Sequence, residues 1–154
     1  MAPQRKIKAY VDTNVLAKLL FKTETFHRDI VELVRQADVK GYKLVISDLV
    51  LLELSSVYDR VDHRGKATMG NILPKLLNHK SITFRFAPLP LSREGVRLAS
   101  KEDLTSTDLL HLTTANRLGC NFFITFDRVL LELKHSPVEV VSPKDFVSVA
   151  RGGN

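Results

Sequence analysis

One cysteine in 154 residues leaves no partner for an intrachain disulfide and excludes a cysteine-rich zinc site. Cys120 follows Gly119 and precedes a strand-like run, the usual setting of a small buried thiol. No stretch of about 18 apolar residues occurs, which argues against a transmembrane span. The basic start, Met1 to Lys8, lacks the long apolar segment of a secretory signal, so a cytoplasmic location is the default expectation. Internal repeats, low-complexity tracts and interdomain linkers are also missing. One domain over residues 1–150 is expected, with Arg151 to Asn154 as a flexible tail. The 44% hydrophobic content is enough to build its core.

Acidic charge is in short supply. Lysine and arginine exceed aspartate and glutamate by 23 − 17 = 6. A basic balance is compatible with a nucleic-acid partner, although lysine-rich faces also serve solubility alone.

What the chain does contain is an alternation of strand and helix signals. Ile7 to Val11 is a first strand, and a helix follows from Val15 to Phe21. From His27 to Lys40, Ile30, Val31, Leu33, Val34 and Ala37 form an apolar stripe at helical spacing, and Gly41 is a suitable stop. Lys43 to Ser47 reads as a second strand, followed by a helix from Asp48 to about His63 and another near Met69 to Asn78 that contains Pro74. Ser81 to Phe86, Asn121 to Phe126 and Val138 to Val141 read as further strands. Between and after them lie helices at Ser92 to Lys101, Ser106 to Leu118, Arg128 to Lys134 and Pro143 to Val149. This alternation predicts a parallel sheet with helices on both faces.

Four acids stand out by position. Asp12 ends the first strand, and in open α/β sheets chemistry sits outside the carboxyl ends of the strands. Glu53 lies three residues after Val50 and four before Val57, on the apolar stripe of its helix. A carboxylate there needs an ion-pair partner or a cation. Asp108 opens a helix, where Thr105-x-x-Asp108 loosely fits a capping box, yet it shares a face with Leu104, Leu112 and Ala115. Asp127 ends the fourth strand in the same way as Asp12, and a helix cap is its alternative role. If the strands that carry Asp12 and Asp127 are neighbours, the four converge in one crevice. Two unit charges about 4 Å apart repel by roughly 4 kcal/mol at an effective dielectric near 20. Four carboxylates therefore call for a counter-charge, and all-oxygen ligands suit Mg²⁺ or Mn²⁺.

Val11-Asp12-Thr13-Asn14-Val15-Leu16, Ser47-(x)₅-Glu53, Thr107-Asp108-Leu109-(x)₅-Ala115 and Thr125-Phe126-Asp127 occur in that order over nearly the whole chain. In this the chain resembles the PIN-domain ribonucleases, and among them the VapC-like toxins of toxin–antitoxin pairs. The resemblance implies a Rossmann-like, three-layer α/β/α fold with parallel sheet order 3-2-1-4-5 and the first and fourth strands adjacent. It implies an acidic pocket for Mg²⁺ or Mn²⁺ formed by Asp12, Glu53, Asp108 and Asp127, with Asn14 and Thr125 orienting them through hydrogen bonds. It also implies hydrolysis of single-stranded RNA, a small antitoxin as partner, and a homodimer. His111 departs from the pattern, since the family often has a small or apolar residue there. It reads as a core-facing neutral histidine, with substrate contact as the alternative.

The chemistry expected is metal-assisted phosphodiester hydrolysis without a side-chain nucleophile. Lys18, Lys22, Arg60, Arg64, Lys66 and Arg128 are candidates to hold the RNA backbone, and each serves equally well as solvated surface. Two rivals remain open. Asp12-Thr13-Asn14 loosely resembles the start of haloacid-dehalogenase-type phosphatases, but that family expects an aspartate where Asn14 stands. An RNA-processing PIN nuclease without a toxin role, or a PIN fold that grips RNA or protein without cutting, is the other.

Overall fold

A computed structural model describes residues 6–20, 27–61, 69–88 and 93–152. Its centre is β1 (Lys8–Val11), with Ala9, Tyr10 and Val11 all buried. A strand buried on both faces belongs in the middle of a parallel sheet. β2 (Lys43–Ser47) and β4 (Phe122–Ile124) flank it, and both are buried along nearly their whole length. Tyr10 pairs with Val45 on one side and Phe123 on the other. β3 (Ile82–Arg85) extends the sheet beyond β2, and β5 (Glu139–Val141) extends it beyond β4. All pairings are parallel, and the strand order is 3-2-1-4-5. This is the architecture expected from the alternating pattern and the resemblance.

Helices cover both faces. On one face, Val11, Leu44, Ile46 and Ile82 meet Val15 and Leu16 of α1 (Thr13–Leu20) and Ile30 and Leu33 of α2 (His27–Lys40). α8 (Pro143–Gly152) packs beside α2, and its Phe146 makes edge contacts with Tyr42 and Phe122. The helix continues through Arg151, whose guanidinium donates to Glu32 Oε1 at 2.8 Å. On the other face Tyr10 stacks on Phe123, with ring centroids 5.3 Å apart. His111 of α6 (Ser106–Arg117) meets the Tyr10 ring edge-on. The remaining helices are α3 (Asp48–Val61), α4 (Met69–Leu77, running through Pro74), α5 (Arg93–Ala99) and α7 (Arg128–Leu131). No helix among the described residues is long and apolar enough to cross a membrane.

Most element ends fall within two or three residues of the sequence-based expectation. β2 has the expected limits, whereas β1 and β5 start one residue later and β3 and β4 are shorter at both ends. Cys120 is buried, and burial pushes its thiol up to about 11.

The turn into β4 rests on a single glycine. Cys120 N donates to Ala115 O and Gly119 N to Asn116 O, each at 3.0 Å, the bond pair of a Schellman cap. Gly119 has φ +68°, a conformation that costs an L side chain about 1–2 kcal/mol. A Cβ there would meet no atom within 4 Å, so backbone strain is the whole penalty. Gly119→Ala should therefore lower the thermal midpoint by roughly 2–8 °C. Calorimetry checks this, and an unchanged midpoint contradicts it.

Candidate functional site

The backbone places Asp12 where β1 becomes α1. Its N–H donates to Ile124 O at 3.0 Å, and its carbonyl accepts from Val15 N at 3.1 Å and Leu16 N at 3.2 Å. The side chain is only 8% exposed, and both carboxylate oxygens are engaged. Oδ1 accepts from Thr13 N at 2.7 Å, and Oδ2 accepts from the Thr125 hydroxyl at 2.7 Å and from Asn14 Nδ2 at 3.1 Å. Burial pushes the Asp12 carboxyl above the usual aspartate range; the Thr125 bond opposes this and the nearby Glu53 charge adds to it.

Asn14 and Thr125 lock the end of β4 to the start of α1. Asn14 Nδ2 also donates to Thr125 Oγ1 at 3.1 Å, and Asn14 Oδ1 accepts from Phe126 N at 3.2 Å. Thr125 Oγ1 accepts in addition from Asp127 N at 3.0 Å. Asn14 thus acts as a structural strut. This speaks against the phosphatase reading, in which Asp12 would need an open, nucleophilic oxygen and position 14 an acid.

Glu53 reaches the same crevice from α3. Val50 and Leu54, its neighbours on the helix, are fully buried, but the Glu53 side chain is 35% exposed at the rim. Its stripe position therefore points it across to α6 and α1 instead of into the core. Oε2 accepts from the Thr13 hydroxyl in a short hydrogen bond and lies 2.9 Å from His111 Nε2. The basic group that meets Glu53 is thus a histidine, not the lysine or arginine of a conventional ion pair. His111 is 3% exposed. It is the core histidine the sequence suggests, and it also borders the crevice.

Asp12, Glu53 and His111 each offer a ligand atom, and the three atoms lie within 4.8 Å of one another. Among the described residues this is the group suited to a cation. One carboxylate is nearly dry with a raised pKa, the second is at the rim, and an imidazole stands beside them. The two carboxylates of this group fit a divalent ion, and oxygen ligands suit Mg²⁺ or Mn²⁺. The site lies at the carboxyl ends of β1 and β4, where the strand order reverses and open α/β sheets bind their ligands.

Asp108 and Asp127 are not part of this three-residue group. Asp108 is half-buried in the first turn of α6, where its N–H donates to Thr105 Oγ1 at 3.2 Å and its Oδ2 accepts from the Thr105 hydroxyl at 2.6 Å. Asp127 caps α7, its Oδ1 accepting from Val129 N at 2.8 Å. Both capping roles foreseen from the sequence are present. Arg128 is exposed at the start of α7, and Lys18 Nζ lies 5.5 Å from the centre of the Phe126 ring. Lys22, Arg64 and Lys66, and the side chain of Arg60, lie outside the described residues. Thr13, Tyr10 and Ser47 carry site contacts that the sequence motifs containing Thr13 and Ser47 do not assign. The available signal at Tyr10 and Ser47 was a polar atom on a buried, largely apolar strand, and Thr13 stands between the two polar residues Asp12 and Asn14.

No curated protein matches the chain significantly. Several solved structures share its fold. VapBC2 from Rickettsia felis, bound to a DNA fragment from its promoter, superposes with a TM-score of 0.64 at 15% identity, covering 88% of this chain and 98% of that one. DNA-bound VapBC from Salmonella typhimurium gives 0.61 at 12% identity, covering 89% and 98%. VapC20 from Mycobacterium tuberculosis, described as a sarcin–ricin loop cleaving toxin, gives 0.58 at 15% identity, covering 77% and 89%. The sequence pattern of the PIN domain matches residues 9–136, most of the chain. With the 3-2-1-4-5 sheet and a paired-acid crevice at its switch point, this protein belongs to the PIN domain family.

Proposed function

We propose that this protein is a metal-dependent endoribonuclease that hydrolyses single-stranded RNA, and that it is the toxin of a VapBC-type pair. The observation that carries the reading is the meeting of Asp12 and Glu53 at the switch point of a PIN sheet. Membership of the PIN family supports nuclease chemistry. The toxin role draws on the shared fold with VapBC proteins, one of them described as cleaving the sarcin–ricin loop.

Asp12 and Glu53 would hold Mg²⁺ or Mn²⁺. A cation there supplies Lewis-acid chemistry, which activates water near neutral pH and offsets charge on the leaving oxygen. The chain's own residues prepare the site. Thr13 N, Thr125 and Asn14 hold Asp12 in one orientation, so little is lost in ordering it when a cation arrives. Thr13 holds Glu53 against the same crevice. Asp108, in the first turn of α6, and Asp127, the cap of α7, would add further carboxylates to the acidic set. Lys18 and Arg128, with Lys22, Arg60, Arg64 and Lys66, hold the RNA backbone, a contact that weakens as salt rises. A small antitoxin covers the groove, and two copies of the chain form the working unit.

Cation binding should be linked to pH. Asp12 has a folded-state pKa above its unfolded value. Its contribution to stability is therefore fully present below the unfolded pKa and is lost as pH rises through the folded one. A cation restores that loss only where Asp12 is ionised. At about 100 times Kd it adds about 2.7 kcal/mol, or roughly 5–11 °C in thermal midpoint for a chain of this size. Mn²⁺ should thus raise the midpoint more at pH 8 than at a pH below the raised Asp12 pKa. An equal shift at both pH values counts against Asp12 as the anchor.

Cleavage of a labelled single-stranded RNA in Mn²⁺ tests the function directly. EDTA should abolish it, and Asp12→Asn should reduce it by more than about a hundredfold, since even a hydrogen-bond partner of a ligand costs about 10–100-fold. Activity that survives either change sinks the metal mechanism. A trapped aspartyl-phosphate would favour the phosphatase instead. Expression in a bacterial host should arrest growth, and Asp12→Asn should relieve the arrest. Normal growth with an active nuclease points to RNA processing.

A further inference from the structure

Behind Glu53 runs a buried chain of hydrogen bonds for which metal-assisted hydrolysis has no obvious use. Ser47 Oγ lies 2.6 Å from Tyr10 Oη, which lies 2.8 Å from His111 Nδ1. On the opposite edge of the ring, His111 Nε2 lies 2.9 Å from Glu53 Oε2. Ser47, Tyr10 and His111 are all almost wholly buried. They come from β2, β1 and α6, and Glu53 comes from α3.

Donor and acceptor chemistry gives the chain a direction. A carboxylate only accepts, so Nε2 carries the proton shared with Glu53. With a single ring proton, on Nε2, Nδ1 is an acceptor that Tyr10 satisfies with its hydroxyl proton, and Tyr10 accepts from Ser47 in turn. Tyr10 remains a donor because burial pushes its phenol far above the usual range. The Tyr10 ring cannot swing away, since it stacks on Phe123 and its backbone pairs on both sides. Both bonds to Glu53, from His111 and from the Thr13 hydroxyl, fall on Oε2. Oε1 accepts neither of them.

We propose that His111 is a positioning residue. Its Nε2–H, with the tautomer set by Tyr10 and Ser47, holds Glu53 Oε2 and so orients the other carboxylate oxygen for a divalent cation shared with Asp12. This rests on the metal-site reading above and assigns His111 a role through Glu53, not as a ligand. Buried polar chains of this kind fix one orientation because each member is satisfied only in it. An exposed glutamate would otherwise sample several rotamers.

The test joins a cation measurement with a spectroscopic one. Mn²⁺ binding is measured by calorimetry on the full chain for wild type, His111→Leu, His111→Gln and Tyr10→Phe. His111→Leu should weaken binding about tenfold or more, the usual cost of losing a ligand's hydrogen-bond partner. His111→Gln keeps an N–H near the Nε2 position and should stay within a few-fold of wild type. Tyr10→Phe keeps the packing and should fall between, so the test stands even where His111→Leu does not fold. Nitrogen-15 NMR of the cation-free protein should show the Nε2–H tautomer in wild type and a mixture in Tyr10→Phe. Unchanged binding in His111→Leu overturns the proposal, as does an Nδ1–H tautomer in wild type. Equal loss in His111→Gln and His111→Leu overturns it in favour of a direct nitrogen ligand. A wild type that binds no Mn²⁺ overturns the metal reading itself, and this role falls with it.

Discussion

Keeping a carboxylate nearly dry at the end of the central strand is the constraint on which the rest of the structure depends. Asp12 loses hydration and faces a second acid, with ligand atoms within 4.8 Å. Two full charges at that separation and an effective dielectric near 20 repel by roughly 3–4 kcal/mol or more, and the half-open rim at Glu53 reduces it. The protein answers with donors aimed at fixed positions. Thr13 N, Asn14 and Thr125 satisfy both Asp12 oxygens. These bonds soften the cost of the charge without removing it, which is why the carboxyl remains above its usual range.

The same donors tie the sheet together. Asn14 and Thr125 link the start of α1 to the end of β4, so the site forms only when β1 and β4 are correctly registered. Tyr10 plays the matching part on the other face of the sheet. Its ring completes the packing against Phe123, while its hydroxyl reaches Ser47 and His111. Core packing and site geometry are therefore one structure here. A shift of β1 by one residue would turn Tyr10 to the wrong face and break the network, because strand side chains alternate.

The two remaining acids occupy a different electrostatic setting. Asp108 and Asp127 sit at helix N-termini, where backbone N–H groups favour negative charge, and each gives one oxygen to a capping contact. Asp12 and Glu53 form the tight pair, with His111 beside them. Four acids of similar appearance in the sequence thus divide into two pairs by what surrounds them.

Local periodicity explains how much of this was legible beforehand. The α2 and β2 limits, the strand end at Asp12, and the caps at Asp108 and Asp127 depend on residues only a few positions apart, so the sequence alone determined them. The adjacency of β1 and β4 came from the family resemblance, since no local pattern encodes a pairing across more than a hundred residues. Glu53 stood out for its misplaced charge, but its partners did not. Thr13 is 40 residues away and His111 is 58, and Tyr10 meets Ser47 across 37. Those contacts depend on how α3 and α6 lie across the sheet. Only the tertiary structure decided them, because hydrogen bonding acts through space while hydrophobic periodicity reports only which face of an element is buried.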